Sequence, residues 1–182
     1  AKRAAALVSS LALAWEKSGW PARAMFAPVF AVVLAKQLSV VPGDASRATV
    51  RAIARQGAAV IAEAESARLA LAKILPEAEQ AALLDELEAS HCGLMPRAAF
   101  SGMALAQRYR DAHLARAMID AGKQGPVTLI AGNGHVHAGR GVPWHLAQEA
   151  PGQAVVSVAV LEVSEDKRDV RTAVPSDASG QP

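Results

Sequence analysis

Val127-Thr128-Leu129-Ile130-Ala131-Gly132-Asn133-Gly134-His135 is the stretch on which the fold reading turns. A short, β-branched apolar run ending in a Gly-rich turn predicts a buried parallel strand whose carboxyl end presents a histidine. In open α/β sheets, ligands gather at that edge. The glycines let the backbone turn tightly and approach a ligand with no Cβ in the way. His137, Arg140, Trp144 and His145 follow, so three histidines, an arginine and an aromatic ring stand within eleven residues. That set suits an iron, haem or metal site.

Working outward, Ala154 to Val163 is a continuous Val-rich run and predicts a central strand. With residues 127–131 and the helix predicted over 143–149, it makes a βαβ unit. Leu38-Ser39-Val40-Val41 predicts a short strand closed by Pro42-Gly43-Asp44, and an edge strand near 169–174 precedes a Ser/Asp/Gly/Pro-rich tail. Helices are predicted over 3–17, 22–36, from Asp44 or Ser46 to Gln56, over 58–75, 76–90 and 97–121. The helix over 22–36 has little polar relief and is expected to be buried on most sides. The expected class is α/β: a helix-rich domain over 1–163 with a parallel β-sheet flanked by helices. Three or four strands are few for so many helices, and the chain opens on Ala1 rather than methionine. The sheet is therefore expected to be incomplete, with its first strand absent.

The chain of 182 residues is long enough for one domain with a sizeable core. Apolar residues make up 52% and charged residues 20%, a globular balance, while aromatics are only 4%, so Ala, Leu and Val must build the core. A net charge of +2, dispersed along helices, argues against nucleic acid as a partner. Cys92 is the single cysteine, which excludes an internal disulfide. No apolar run is long enough for a membrane span. Ala1-Lys2-Arg3 and the apolar run after it resemble a signal peptide, but Ser9-Ser10 and Trp15-Glu16-Lys17 favour a helix.

The helix over 97–121 offers a second wall for the site. Met103, Gln107, Arg110, Leu114 and Met118 share one face, and Gly102, Tyr109, His113 and Arg116 the opposite one. Small residues beside the chain's single tyrosine leave room for a flat ligand, and Tyr and His both serve as axial haem ligands. A tyrosine ligand to Fe(III) must be a phenolate, and Arg108 and Arg110 would lower its pKa. Structural readings stand beside these. Tyr109 and His113 also suit a solvated helix face, and His135 a hydrogen bond within its own turn. His91 also suits a helix cap, Cys92 a small buried hydrophobe, and His137 and His145 the surface. Dinucleotide fingerprint, P-loop, Cys-x-x-Cys, His-Glu-x-x-His and Gly-x-Ser-x-Gly are all missing.

Four stretches carry a resemblance: Ser18-Gly19-Trp20-Pro21, Ser90-His91-Cys92-Gly93-Leu94-Met95-Pro96, Ala106-Gln107-Arg108-Tyr109-Arg110-Asp111 and Ala131-Gly132-Asn133-Gly134-His135-Val136, the last closed by Arg140-Gly141-Val142-Pro143. Together, in order and over roughly 10–163, they resemble the ChaN-like haem-binding uptake proteins. That family sits in a superfamily with the Tiki proteases and the TraB/PrgY proteins, whose shared signature is Gly-x-x-His. Gly132 and His135 match the signature. His91, Gln107, Arg110 and Asp111 match positions that the family fills with the same types. The amino-terminal Gly-Glu-x-His segment of the family has no counterpart here.

The resemblance implies a parallel α/β sheet and haem binding in bacterial iron uptake. It also implies a periplasmic or outer-membrane lipoprotein of a Gram-negative bacterium, and a homodimer that shares haem between subunits. The leading expectation is a non-catalytic haem-binding protein. Tyr109 or His135 (or His91) would hold the iron, Arg110 or Arg140 the propionates, and Gln107, Asn133 and His113 would line the pocket, with Trp144 against the porphyrin. The alternative is a metal-dependent peptidase or hydrolase like the Tiki proteases, with His135 as ligand or general acid and Asn133 or Arg110 as oxyanion donor. A third reading is a helical interaction module without a ligand.

Overall fold

Ser46 stands extended before Arg47, and its hydroxyl accepts the Thr49 amide at 3.1 Å, so a helix begins where a side-chain oxygen satisfies an orphan N–H. The computed structural model describes Trp15, residues 20–92 and residues 94–160. They fall into two units, Ala1–Pro42 and Gly43–Pro182. In the first, a 3-10 turn over Arg23–Phe26 leads into α1, Ala27–Ala35, with Pro28 in its first turn. Trp15 packs its ring on Trp20, Phe26 and Phe30, with centroids 5.1–5.7 Å apart, and donates its indole N–H to the Pro21 carbonyl at 2.7 Å. The expected burial of this helix is not found: no residue of α1 is buried, and Val32 is 54% exposed.

The second unit is built on helices α2 (Arg47–Gln56), α3 (Glu63–Arg68), α4 (Glu77–Ser90), α5 (Ala98–Gly122) and α6 (Val142–Glu149), with 3-10 turns over Gly57–Val60 and Asn133–His135. Glu77 and Glu79 sit in the first turn of α4, where the helix dipole favours negative charge. α5 is the spine. Its 25 residues span about 37 Å and bury Phe100, Ala104, Ala106, Tyr109, Asp111, Ala112, Leu114 and Ala115. Those residues point in several directions because α5 has neighbours on several sides. Ala106, Tyr109 and Ala112 pack with Ile53 and Leu69. Leu114 and Ala115 pack with Val142 and Leu146 of α6. Ala104 packs with Leu75 and Leu83, backed by Trp144. Ile53, Leu69 and Phe100 are almost wholly buried, each contributing about 1.5–3 kcal/mol. A Cβ on Gly102 would overlap the Ala54 carbonyl oxygen, so this glycine lets α2 and α5 cross closely.

The parallel sheet is not found. The described residues are helix-rich and hold no strand. Residues 38–41, 126–132 and 153–160 have no regular secondary structure, and the expected strand near 169–174 lies outside the described residues. The reason is pairing. β-branched composition makes a segment fit for a ladder, but a strand exists only when a second backbone supplies the other half of its hydrogen bonds. The ties between the 153–160 segment and the histidine turn run through side chains instead: Asn133 Nδ2 donates to the Val160 carbonyl at 2.8 Å, and Ser157 Oγ to the Val136 carbonyl at 2.6 Å. Val156, Val158 and Val160 are exposed, unlike residues of a central strand.

Candidate functional site

The Gly-x-x-His turn lies against the middle of α5. His135 is the last residue of a 3-10 turn that begins after Gly132, and Nδ1 of its ring stands 2.6 Å from Asp111 Oδ1 and 3.1 Å from Gln107 Nε2. An ionised carboxylate can only accept, so Nδ1 carries the proton and donates it to Asp111. Gln107 then donates to the Gly134 carbonyl at 3.3 Å and tethers the turn to the helix. Nε2 of His135 is left as the ring's acceptor, and it makes no hydrogen bond to another described residue. Gln107 and Asp111 are one turn apart on α5, which is why both reach the same ring.

The rest of the turn is braced. Gly141 donates its amide to the His137 carbonyl at 2.8 Å, and a Cβ there would lie 2.5 Å from the His135 carbonyl oxygen. Only glycine fits between these backbones. Arg140 donates to Glu79 at 3.0 Å and to Glu86 at 2.8 Å, pinning the far side of the loop to α4. Gly132 is different: its backbone is ordinary extended chain, and a Cβ there would meet nothing within 4 Å.

Charge extends from the dyad toward the start of α2. Burial pushes the Asp111 carboxyl up from 3.8 to about 6, against the opposing hydrogen bond from His135. Arg110, its neighbour, is held by Asp44 through Nη2 at 2.6 Å and Nε at 3.1 Å. Burial alone would raise the Asp44 carboxyl, but the hydrogen bond and charge of Arg110 hold it below the ordinary carboxylate range.

Tyr109 and His113 belong elsewhere. They lie on a different face of α5, about 200° around the helix from Gln107 and Asp111 respectively. Tyr109 is 5% exposed, its hydroxyl donates to Glu65 Oε1 at 3.3 Å, and His113 Nε2 meets the same oxygen at 2.8 Å. Burial and then the Glu65 charge push the phenol pKa up, the opposite of what a phenolate ligand requires. Arg108, expected to lower it, instead donates to the Lys73 carbonyl at 2.5 Å.

The structure thus separates the two groups that the sequence put in one hollow. His135, Gln107 and Asn133 come together at the turn, and Arg110 stands one salt bridge away on Asp44. Arg140 braces the turn from α4, while Tyr109 and His113 form a second cluster at Glu65. His91 terminates α4, its Nδ1 donating to the Leu87 carbonyl at 2.7 Å, with its ring beside Phe100. Phe100 precedes Gln107 by two turns, about 10 Å along α5. Cys92 is exposed in a left-handed turn, not buried. His145, expected at the surface, is 1% exposed with Nε2 unpartnered, and burial, then Arg108 and Lys73, lower its pKa to about 4.

Asp111, matched in sequence only to a family position, is the functional candidate whose partnership with His135 the structure adds. Its signal was position: a carboxylate in mid-helix beside Gln107, Leu114 and Ala115 falls on a face that neighbours must cover. Among the described residues, no three His, Cys, Asp or Glu side chains converge as a metal site. No helix among them is long and apolar enough to cross a membrane.

A buried carboxylate that fixes one nitrogen of a buried imidazole, and leaves the other without a hydrogen bond among the described residues, is an arrangement suited to ligating a metal centre or moving a proton. Residues 6–146 match the family described as "Haem-binding uptake, Tiki superfamily, ChaN", and the chain belongs to that family. No curated protein and no solved structure matches it.

Proposed function

We propose that the protein binds haem in iron uptake, with His135 Nε2 as the iron ligand and Asp111 as the residue that sets the tautomer of that ring. The observation that carries this reading is the 2.6 Å contact from His135 Nδ1 to Asp111, with no hydrogen bond to Nε2 among the described residues. Ligating histidines almost always donate their other N–H to a carboxylate or carbonyl, which fixes the ring and raises its basicity. Beside the turn, Ile130, Val156, Val158 and Val160 supply exposed apolar surface suited to a porphyrin face. When bound, haem supplies an iron centre that accepts the imidazole lone pair. Arg110 and Arg140 are already held by carboxylates, so neither supports a propionate contact. Tyr109, buried against Glu65, has no role as ligand in this reading.

Haem titration followed by the Soret band tests it. Wild type should develop the band of a histidine-ligated iron, and His135→Ala should lose that signature or weaken binding at that site by at least about tenfold. An unchanged spectrum and affinity in His135→Ala would remove His135 as the ligand.

A further inference from the structure

Where α2 and α5 cross at Gly102, the two helices leave an open groove of about 700 Å³, within the size of small-molecule pockets. Its wall is small or apolar, with Gly102 and Leu105 on α5 and the thioethers of Met95 and Met103 beside them. Arg51 and Arg55 line the α2 side. They stand one helical turn apart, with Cβ atoms about 6 Å from each other. Both are exposed. Arg68, Arg97, Arg110, Arg116 and Arg140 each pair with a carboxylate, whereas Arg51 and Arg55 pair with none among the described residues.

Two unpaired guanidiniums beside an apolar wall complement a ligand of one shape: an apolar body with two carboxylates on a single edge. A fatty acid brings one carboxylate on a flexible chain. A porphyrin brings two on neighbouring rings and a flat face that small wall residues admit. We propose that the groove is a second porphyrin site, in which Arg51 and Arg55 take the carboxylates and the α5 wall takes the ring. Gly102 and Asp111 lie about 180° apart around α5, so the groove is distinct from the face that carries His135. The identity of the ligand rests on the haem reading above, while the site stands on its own lining. No iron is needed for its contacts.

The test uses the whole chain and metal-free protoporphyrin IX, followed by porphyrin fluorescence. Wild type should bind it. Arg51→Ala combined with Arg55→Ala should weaken binding by about tenfold or more, and the porphyrin dimethyl ester should bind as weakly to wild type. Ala98→Trp, which fills the groove from an exposed position, should weaken it too, with circular dichroism unchanged. Undiminished binding in the arginine double variant, or displacement by equimolar palmitate, would each overturn the proposal. Failure of the His135 reading shows separately, as an unchanged ferric-haem spectrum in His135→Ala.

Discussion

Replacing Asp111 with asparagine should stabilise the protein above neutral pH while weakening its hold on haem. The asparagine oxygen can still accept the His135 Nδ1–H, but the buried charge is gone. Burial raises the Asp111 carboxyl from 3.8 to about 6, so the ionised form is disfavoured in the folded state. The cost of that ionisation is absent below about pH 3.8, grows through the interval, and is complete above about 6. A displacement of roughly two pH units corresponds to about 3 kcal/mol, and the Asp111 side chain is only 2% exposed, so solvent screens little of it. The neutral amide makes a weaker hydrogen bond by about 1 kcal/mol, which leaves a net gain of about 2 kcal/mol at pH 8. Urea unfolding of both proteins at pH 4, 6 and 8 measures the gap. It should widen in favour of Asp111→Asn as pH rises, while haem affinity falls by about 10–100-fold because the imidazole loses its anionic partner. A stability gap that is flat with pH, or that widens in favour of wild type, would refute the reasoning.

Gly141→Ala should cost about 1–3 kcal/mol in urea unfolding, because its Cβ would press on the His135 carbonyl, and it should weaken haem binding by displacing the turn. Gly132→Ala should leave stability within about 0.5 kcal/mol, since nothing lies within 4 Å of its Cβ. Weaker haem binding in that variant would then report ligand contact at the start of the signature. Tyr109→Phe should leave the haem spectrum unchanged and cost about 1 kcal/mol for the hydrogen bond to Glu65. A lost Soret band in Tyr109→Phe would contradict the assignment of the two clusters.

Much of the helical frame was legible. Proline before α4, Ser46 before α2, and Gly141 before α6 with Pro143 in its first turn are local signals, and local signals place helix ends. The sheet was misread because strand pairing is not local. Residues 127–131 and 154–160 have the composition of strands, and composition carries no information about whether a second backbone lies alongside. In the site, one motif marks the glycine turn and His135, whereas Gln107 reads from sequence only as a pocket-lining residue, and its tether to the Gly134 carbonyl is visible in the structure alone. Asp111 reads from sequence only as a family-matched position, because Tyr109 and His113 place the second wall on another face of the same helix. Tyr109 could not be settled from spacing, since its environment is made by Glu65, forty-four residues away. Arg110 reads as a propionate partner in sequence for the same reason: Asp44, which holds it, is sixty-six residues distant.

The most direct measurement is electron–nuclear double resonance on the ferric-haem complex of protein labelled with ¹⁵N-histidine. A strong ¹⁵N coupling at the iron should be present in wild type and survive single replacement of His91, His113, His137 and His145 by alanine. It should vanish in His135→Ala alone. A coupling that persists in His135→Ala, or that disappears with one of the other four, would contradict the account.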